Sequence, residues 1–134
     1  LVEQCQEIAK ETGAIIELEA DVMKASKDAD AIYTDVWVSM GEPKEVWDQR
    51  VKLLQPYQVN MKMIQNAKPD VLFMHCLPAF HDLNTETAQQ VHEQFGLNEM
   101  EVTDEVFRSK HSVVFEEAEN RLHTIKAVMV ATIG

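Results

Sequence analysis

The chain has 134 residues, 46% of them apolar, which suits one globular domain with a core of its own. Its formal net charge is −11, from 23 acidic and 12 basic residues, the opposite of the balance that nucleic acid or an anionic membrane demands. No apolar run approaches the roughly 18 residues of a membrane span, and no basic, apolar leader opens the chain, so neither a transmembrane helix nor a signal peptide is expected.

Leu1, Cys5, Ile8 and Ala9 recur at helical spacing, which predicts a helix over residues 1–12 ended by Gly13. That helix starts with the first residue, as if inside an element, so a piece of a longer protein is expected. The apolar stretch 14–18 reads as a short strand, 20–29 as a short helix and 30–35 as a second strand. Gly41 and Pro43 mark 36–43 as a loop. Val46, Trp47, Val51 and Leu54 give a helix over 44–54, which Pro56 interrupts, and a further helix is expected over 57–66. Residues 69–75 form the clearest buried strand. Asn84 is suited to cap a helix over 85–95, with Glu86 in its first turn and Gly96 past its end. A short strand over 99–103, a helical turn around 104–109 and a last helix over 119–133 complete the chain. Leu122, Ile125, Met129 and Ile133 are the expected inner face of that last helix.

Strands alternating with helices imply an α/β fold: a parallel β-sheet with helices on both faces, Rossmann-like, in one truncated domain. Ligands of such sheets bind where loops leave the carboxyl ends of strands. Two loops qualify, one from Asp35 through Gly41 and one from His75 through Asp82.

The second loop reads His75-Cys76-Leu77-Pro78, and its chemistry has several possible uses. Zinc is not supported: adjacent strand residues point to opposite sides, and His81 and Asp82 do not complete a convincing set. A cysteine-phosphatase loop also fails, because Asp82 stands where that pattern needs an arginine and the glycines that wrap an anion are missing. No Gly-x-Gly-x-x-Gly occurs among the four glycines, so no dinucleotide motif is present. What remains is a lone thiol working with partners from other loops, or a cysteine that simply packs, and spacing alone favours packing. Cys5 and Cys76 do not need to form a disulfide, and a reducing compartment fits them better.

Three separated motifs decide more. Residues 35–41, Asp-Val-Trp-Val-Ser-Met-Gly, with 75–78 and with 119–132, which opens Glu-Asn-Arg, resemble the ornithine carbamoyltransferases in their bacterial form. The likeness covers nearly the whole chain. It implies a two-domain α/β enzyme whose first domain binds carbamoyl phosphate and whose C-terminal, ornithine-binding domain is similar to residues 1–134. The implied reaction passes a carbamoyl group to the side-chain amine of ornithine, giving citrulline and phosphate, with no metal and no organic cofactor.

By resemblance, Asp35 holds the amino group of ornithine, and Ser39 and Met40 close over that substrate. Cys76 lies beside the reacting amine and orients or deprotonates it. The Leu77 carbonyl accepts hydrogen bonds from the carbamoyl and attacking amines, across a cis Leu77–Pro78 bond. Arg121 reaches the carbamoyl oxygen, where negative charge grows during attack. His75, His81 and His123 are expected to be structural. The family's phosphate-binding segments, Ser-x-Arg-Thr and His-Pro-x-Gln, do not occur in the chain. The chain alone is therefore expected to be inactive or nearly so. Its expected partners are its own N-terminal domain and neighbouring subunits in a trimer or larger assembly, in the cytoplasm, with no nucleic acid and no membrane. Transfer to another amine such as putrescine, and a non-catalytic fragment kept for assembly, stay open as alternatives.

Overall fold

The structure is a computed structural model that describes residues 1–39 and 42–134, with Lys44 through its backbone alone. Seven helices and two strands are assigned among them: α1 (Val2–Thr12), α2 (Val22–Ala25), β1 (Ala31–Thr34), α3 (Lys44–Leu54), α4 (Met61–Asn66), β2 (Leu72–His75), α5 (Glu86–Phe95), α6 (Asp104–Phe107) and α7 (Val114–Ile133). A 3₁₀ turn, Gln55–Tyr57, follows α3. No described helix is long and apolar enough to cross a membrane.

The strands pair in parallel, Ala31 opposite Leu72 and Thr34 opposite His75, so the α/β parallel arrangement is as expected. Residues 111–113 continue the sheet beyond β2: Phe73 N–H donates to the His111 carbonyl at 2.7 Å, and Val113 N–H donates to the Phe73 carbonyl at 3.0 Å. Phe73 is fully buried and sits in one core cluster with Val71, Val102, Val106 and Val114. A second cluster gathers Trp37, Val38, Val51, Phe80 and Val91, and it anchors the loops that leave both strands.

Several boundaries move, each for a physical reason. Residues 14–18 are not a strand: Ile15 is 86% exposed and Leu18 78%, and no neighbour among the described residues offers them a ladder. The helix expected over 57–66 begins only at Met61, because Asn60 caps it through the Met63 N–H and Val59 is extended to bridge Val102. That bridge is all that forms of the strand expected over 99–103. Thr85, not Asn84, caps α5, accepting from the Ala88 N–H at 3.2 Å, while Asn84 turns back onto Asp82.

The last helix starts at Val114 rather than 119. Its expected inner face is outside: Leu122 is 67% exposed, Ile125 50%, Met129 52% and Ile133 77%. Periodicity identified the apolar stripe, but it carries no information on whether a partner layer is there to cover it. The same holds for α1, which buries none of its residues.

Gly96 ends α5 in the left-handed region at φ 71°, with its N–H on the His92 carbonyl at 2.8 Å. A Cβ there meets nothing within 4 Å, so only the backbone conformation resists substitution. Gly96→Ala is expected to lower stability by about 1–2 kcal/mol. Urea denaturation of the two chains checks this, and an unchanged midpoint would refute it.

Candidate functional site

The parallel register builds the centre of the site. Thr34 and His75 are the last paired residues, so the next two, Asp35 and Cys76, leave the sheet side by side. The Cys76 thiol donates to Asp35 Oδ1 at 3.0 Å, and the Val36 N–H donates to the same oxygen at 2.7 Å. The bond from Cys76, then the one from Val36, holds the Asp35 carboxyl below its usual range. The converse acts on the thiol. Its bond to Asp35, partial burial and the nearby charges of Asp35 and Glu117 push Cys76 up to about 11. Near neutral pH the group is a thiol and a hydrogen-bond donor, not a thiolate.

His75 is completely buried, as is Glu101. Its Nδ1–H donates to the Cys76 carbonyl, and its Nε2 lies 3.1 Å from Glu101 Oε1, close but off the line of a hydrogen bond. Burial pulls the imidazole pKa down. The Glu101 carboxylate and the Cys76 carbonyl outweigh burial, so the net shift is upward. Glu101 Oε1 also accepts the Phe80 N–H at 2.7 Å, pinning the loop beyond Pro78. The Leu77–Pro78 bond is cis, as expected. His75 thus packs and steers the backbone rather than facing a ligand with its ring.

A cleft of about 390 Å³ opens beside Cys76 and Leu77 and is walled on its other side by the start of α7, including Glu117 and Arg121. Arg121 makes no ion pair among the described residues and is the one permanent cation lining the cleft. Cys76, Leu77 and Arg121 therefore meet in one place, with Asp35 bonded to the thiol. Ser39 does not line this cleft. Its N–H donates to Glu42 at 3.3 Å, and Glu42 pairs with Arg50 at 2.9 Å. Met40 lies outside the described residues.

Two ionisable residues of the cleft, Tyr33 and Glu117, escaped the sequence reading. Tyr33 lies on β1 two positions before Asp35, and Glu117 precedes Arg121 by one helical turn. Either spacing is a usable signal once the neighbour is suspected. Partial burial, then the Glu117 carboxylate, raises the Tyr33 phenol above its ordinary pKa.

His81, Asp82 and Asp104 do come together, with His81 Nδ1 2.7 Å from Asp104 Oδ1. Arg108 pairs with both carboxylates, at 2.8 Å and 3.4 Å, and the His81 ring stacks on Phe107 at 3.6 Å. Arg108 thus bridges the two carboxylates, and the cluster lies outside the cleft.

Comparison with known proteins adds the rest. Residues 1–132 match the family model described as aspartate/ornithine carbamoyltransferase, Asp/Orn binding domain. The chain is 58% identical over its whole length to the catabolic ornithine carbamoyltransferase 1 of Streptococcus agalactiae, covering 41% of that protein. It is equally 58% identical to an ornithine carbamoyltransferase of Staphylococcus aureus, covering 40% of it. Among solved structures, the ornithine carbamoyltransferase of Pyrococcus furiosus superposes with a TM-score of 0.71 at 47% identity, over 90% of this chain and 33% of that one. The chain thus spans about two fifths of the length of the curated relatives it matches.

Proposed function

The chain belongs to the aspartate/ornithine carbamoyltransferase family, and on that premise we propose that it is the ornithine-binding, C-terminal part of an enzyme that carbamoylates L-ornithine from carbamoyl phosphate, giving L-citrulline and phosphate. The observation that carries the reading is the meeting of the Cys76 thiol, which donates to an anionic Asp35 at 3.0 Å, with Arg121, unpaired among the described residues, across one cleft.

The chemistry divides among them. Asp35 holds the amino group of ornithine by charge, with Ser39 and Met40 closing over the substrate. Attack requires the side-chain amine to be neutral and aimed, and Cys76, as a thiol, orients it by hydrogen bonding. The Leu77 carbonyl accepts from the carbamoyl amine and the attacking amine. Negative charge grows on the carbamoyl oxygen as the C–N bond forms, and Arg121 stabilises it. No thiolate attack is involved, so the raised Cys76 pKa is no obstacle.

Carbamoyl phosphate is an anion that calls for several cations or helix-terminal amides. Arg121 alone does not supply them, so the phosphate half of the site belongs to an N-terminal domain, and neighbouring subunits complete the assembly. The cytoplasm is the compartment we assign, because a reducing milieu keeps Cys76 as the thiol the site uses.

The test is a citrulline assay with ornithine and carbamoyl phosphate. The complete polypeptide is expected to turn over, and the 134-residue chain is expected to form no citrulline above background. Citrulline from the short chain at the full enzyme's rate would refute the division of labour. Preferred carbamoylation of putrescine in a competition would refute the choice of amine.

A further inference from the structure

The outer ladder of β2 has an irregular last rung. Phe73 exchanges two bonds with residues 111 and 113 in the usual slanted parallel pattern. The next outward donor is the His75 N–H, and the regular pattern would send it to the Val113 carbonyl. That carbonyl is already committed: it accepts the Glu117 N–H at 2.9 Å, in the first turn of α7. The chain has left the sheet for a helix one residue too soon to finish the ladder. The Glu117 carboxylate fills the gap, accepting the His75 N–H at 3.1 Å through Oε2. An unpaired N–H at this buried residue would be costly, so the substitute acceptor is needed.

The same contact couples two walls of the cleft. His75 precedes the Cys76–Leu77 pair directly, and Glu117 stands one helical turn before Arg121. Beyond Val114, α7 buries no residue, so little else holds its cleft-facing turns to the sheet. We propose that Glu117 is a positioning residue: by completing the β2 ladder from a helix, it sets Arg121 at a fixed distance from the Cys76–Leu77 turn. The inference rests on the carbamoyl-transfer reading for its catalytic consequence, but not for the contact itself. An acid that only complements the helix dipole would have no reason to meet the His75 N–H.

Two variants separate the cases. Glu117→Ala removes the acceptor, whereas Glu117→Gln keeps a carbonyl oxygen able to receive the N–H. In the 134-residue chain, amide hydrogen exchange followed by NMR is expected to show His75 protection falling roughly tenfold or more in the alanine variant. Phe73, bonded to His111, stays protected and serves as the control for folding. The glutamine variant keeps the His75 protection.

In the complete enzyme, kcat/KM for carbamoyl phosphate is expected to fall about 10²-fold in Glu117→Ala, the scale set by misplacing a catalytic group. The KM for ornithine changes little, and Glu117→Gln restores most of the loss. Unchanged His75 protection in the alanine variant would overturn the proposal. So would a glutamine variant as slow as alanine despite intact protection, since charge and not placement would then matter. A wild-type enzyme without carbamoyl transfer would instead sink the functional reading. The exchange arm needs no substrate and would still decide whether Glu117 holds the rung.

Discussion

Replacing Asp35 with asparagine is expected to make Cys76 alkylate several-fold faster at pH 8, with about tenfold as the ceiling. In the native arrangement the thiol donates to a carboxylate 3.0 Å away, so ionising it would set two anions in contact. This cost, with partial burial and the charge of Glu117, is what lifts the thiol from 9.0 to about 11. Asparagine removes the largest cause, the bond to a carboxylate, together with the charge of Asp35, and leaves burial and Glu117. A full return to 9.0 would raise the thiolate fraction about a hundredfold, but the more acidic thiolate is intrinsically less nucleophilic and gives back about half of that on a logarithmic scale. Iodoacetamide labelling across pH, read on the Cys76 peptide by mass spectrometry, checks the claim. Cys5, also free, provides the internal comparison. A wild-type profile centred near 9, or a variant that labels no faster, would show that the carboxylate does not control the thiol.

The second large effect is on stability. Glu101→Ala is expected to cost about 3–5 kcal/mol, the loss typical of removing one partner from a buried charged pair. That is a large share of the roughly 5–15 kcal/mol that holds an ordinary domain folded. Two groups are affected at once: the buried Phe80 N–H loses its acceptor at 2.7 Å, and the imidazole of His75 loses the carboxylate 3.1 Å from its Nε2. Because the folded pKa of His75 is raised, its contribution is fully present below the ordinary histidine pKa of 6.5 and is lost as pH rises through the folded value. The wild-type chain should therefore lose this increment on moving from pH 6 to alkaline pH, and the alanine variant should not. Urea midpoints of both chains across that range measure it. Equal midpoints at pH 6 would falsify the role assigned to the pair.

The strand over 72–75 was legible because a buried parallel strand writes itself as an apolar run, and its loop because Pro78 and Cys76 follow directly. Gly13 and Gly96 announced helix ends because a left-handed residue there favours glycine. The failures share a cause. Residues 14–18 and the stripe along α7 have the composition of a strand and of a buried face, but composition cannot supply the neighbour that would pair with or cover them. The Asp35–Cys76 contact was invisible to spacing, because it depends on the register between two strands. The strand-end rule picked out the two loops that hold them, and the three-motif resemblance singled out the residues. Glu117 was missed because its role comes from a ladder interrupted by a helix start, and no pattern within one element encodes that.

The loop carrying Cys76 is tied to residues that come later in the chain. The Phe80 N–H depends on Glu101, 21 positions on, and the His75 N–H on Glu117, 42 positions on. During synthesis, Asp35 and Cys76 are both present long before the groups that seat them. A chain that has not yet extended past Glu117 lacks the acceptor of the His75 N–H, so the turn that carries Cys76 is incompletely seated until that residue is in place. The seating of this cysteine therefore waits on groups supplied by a later part of the chain.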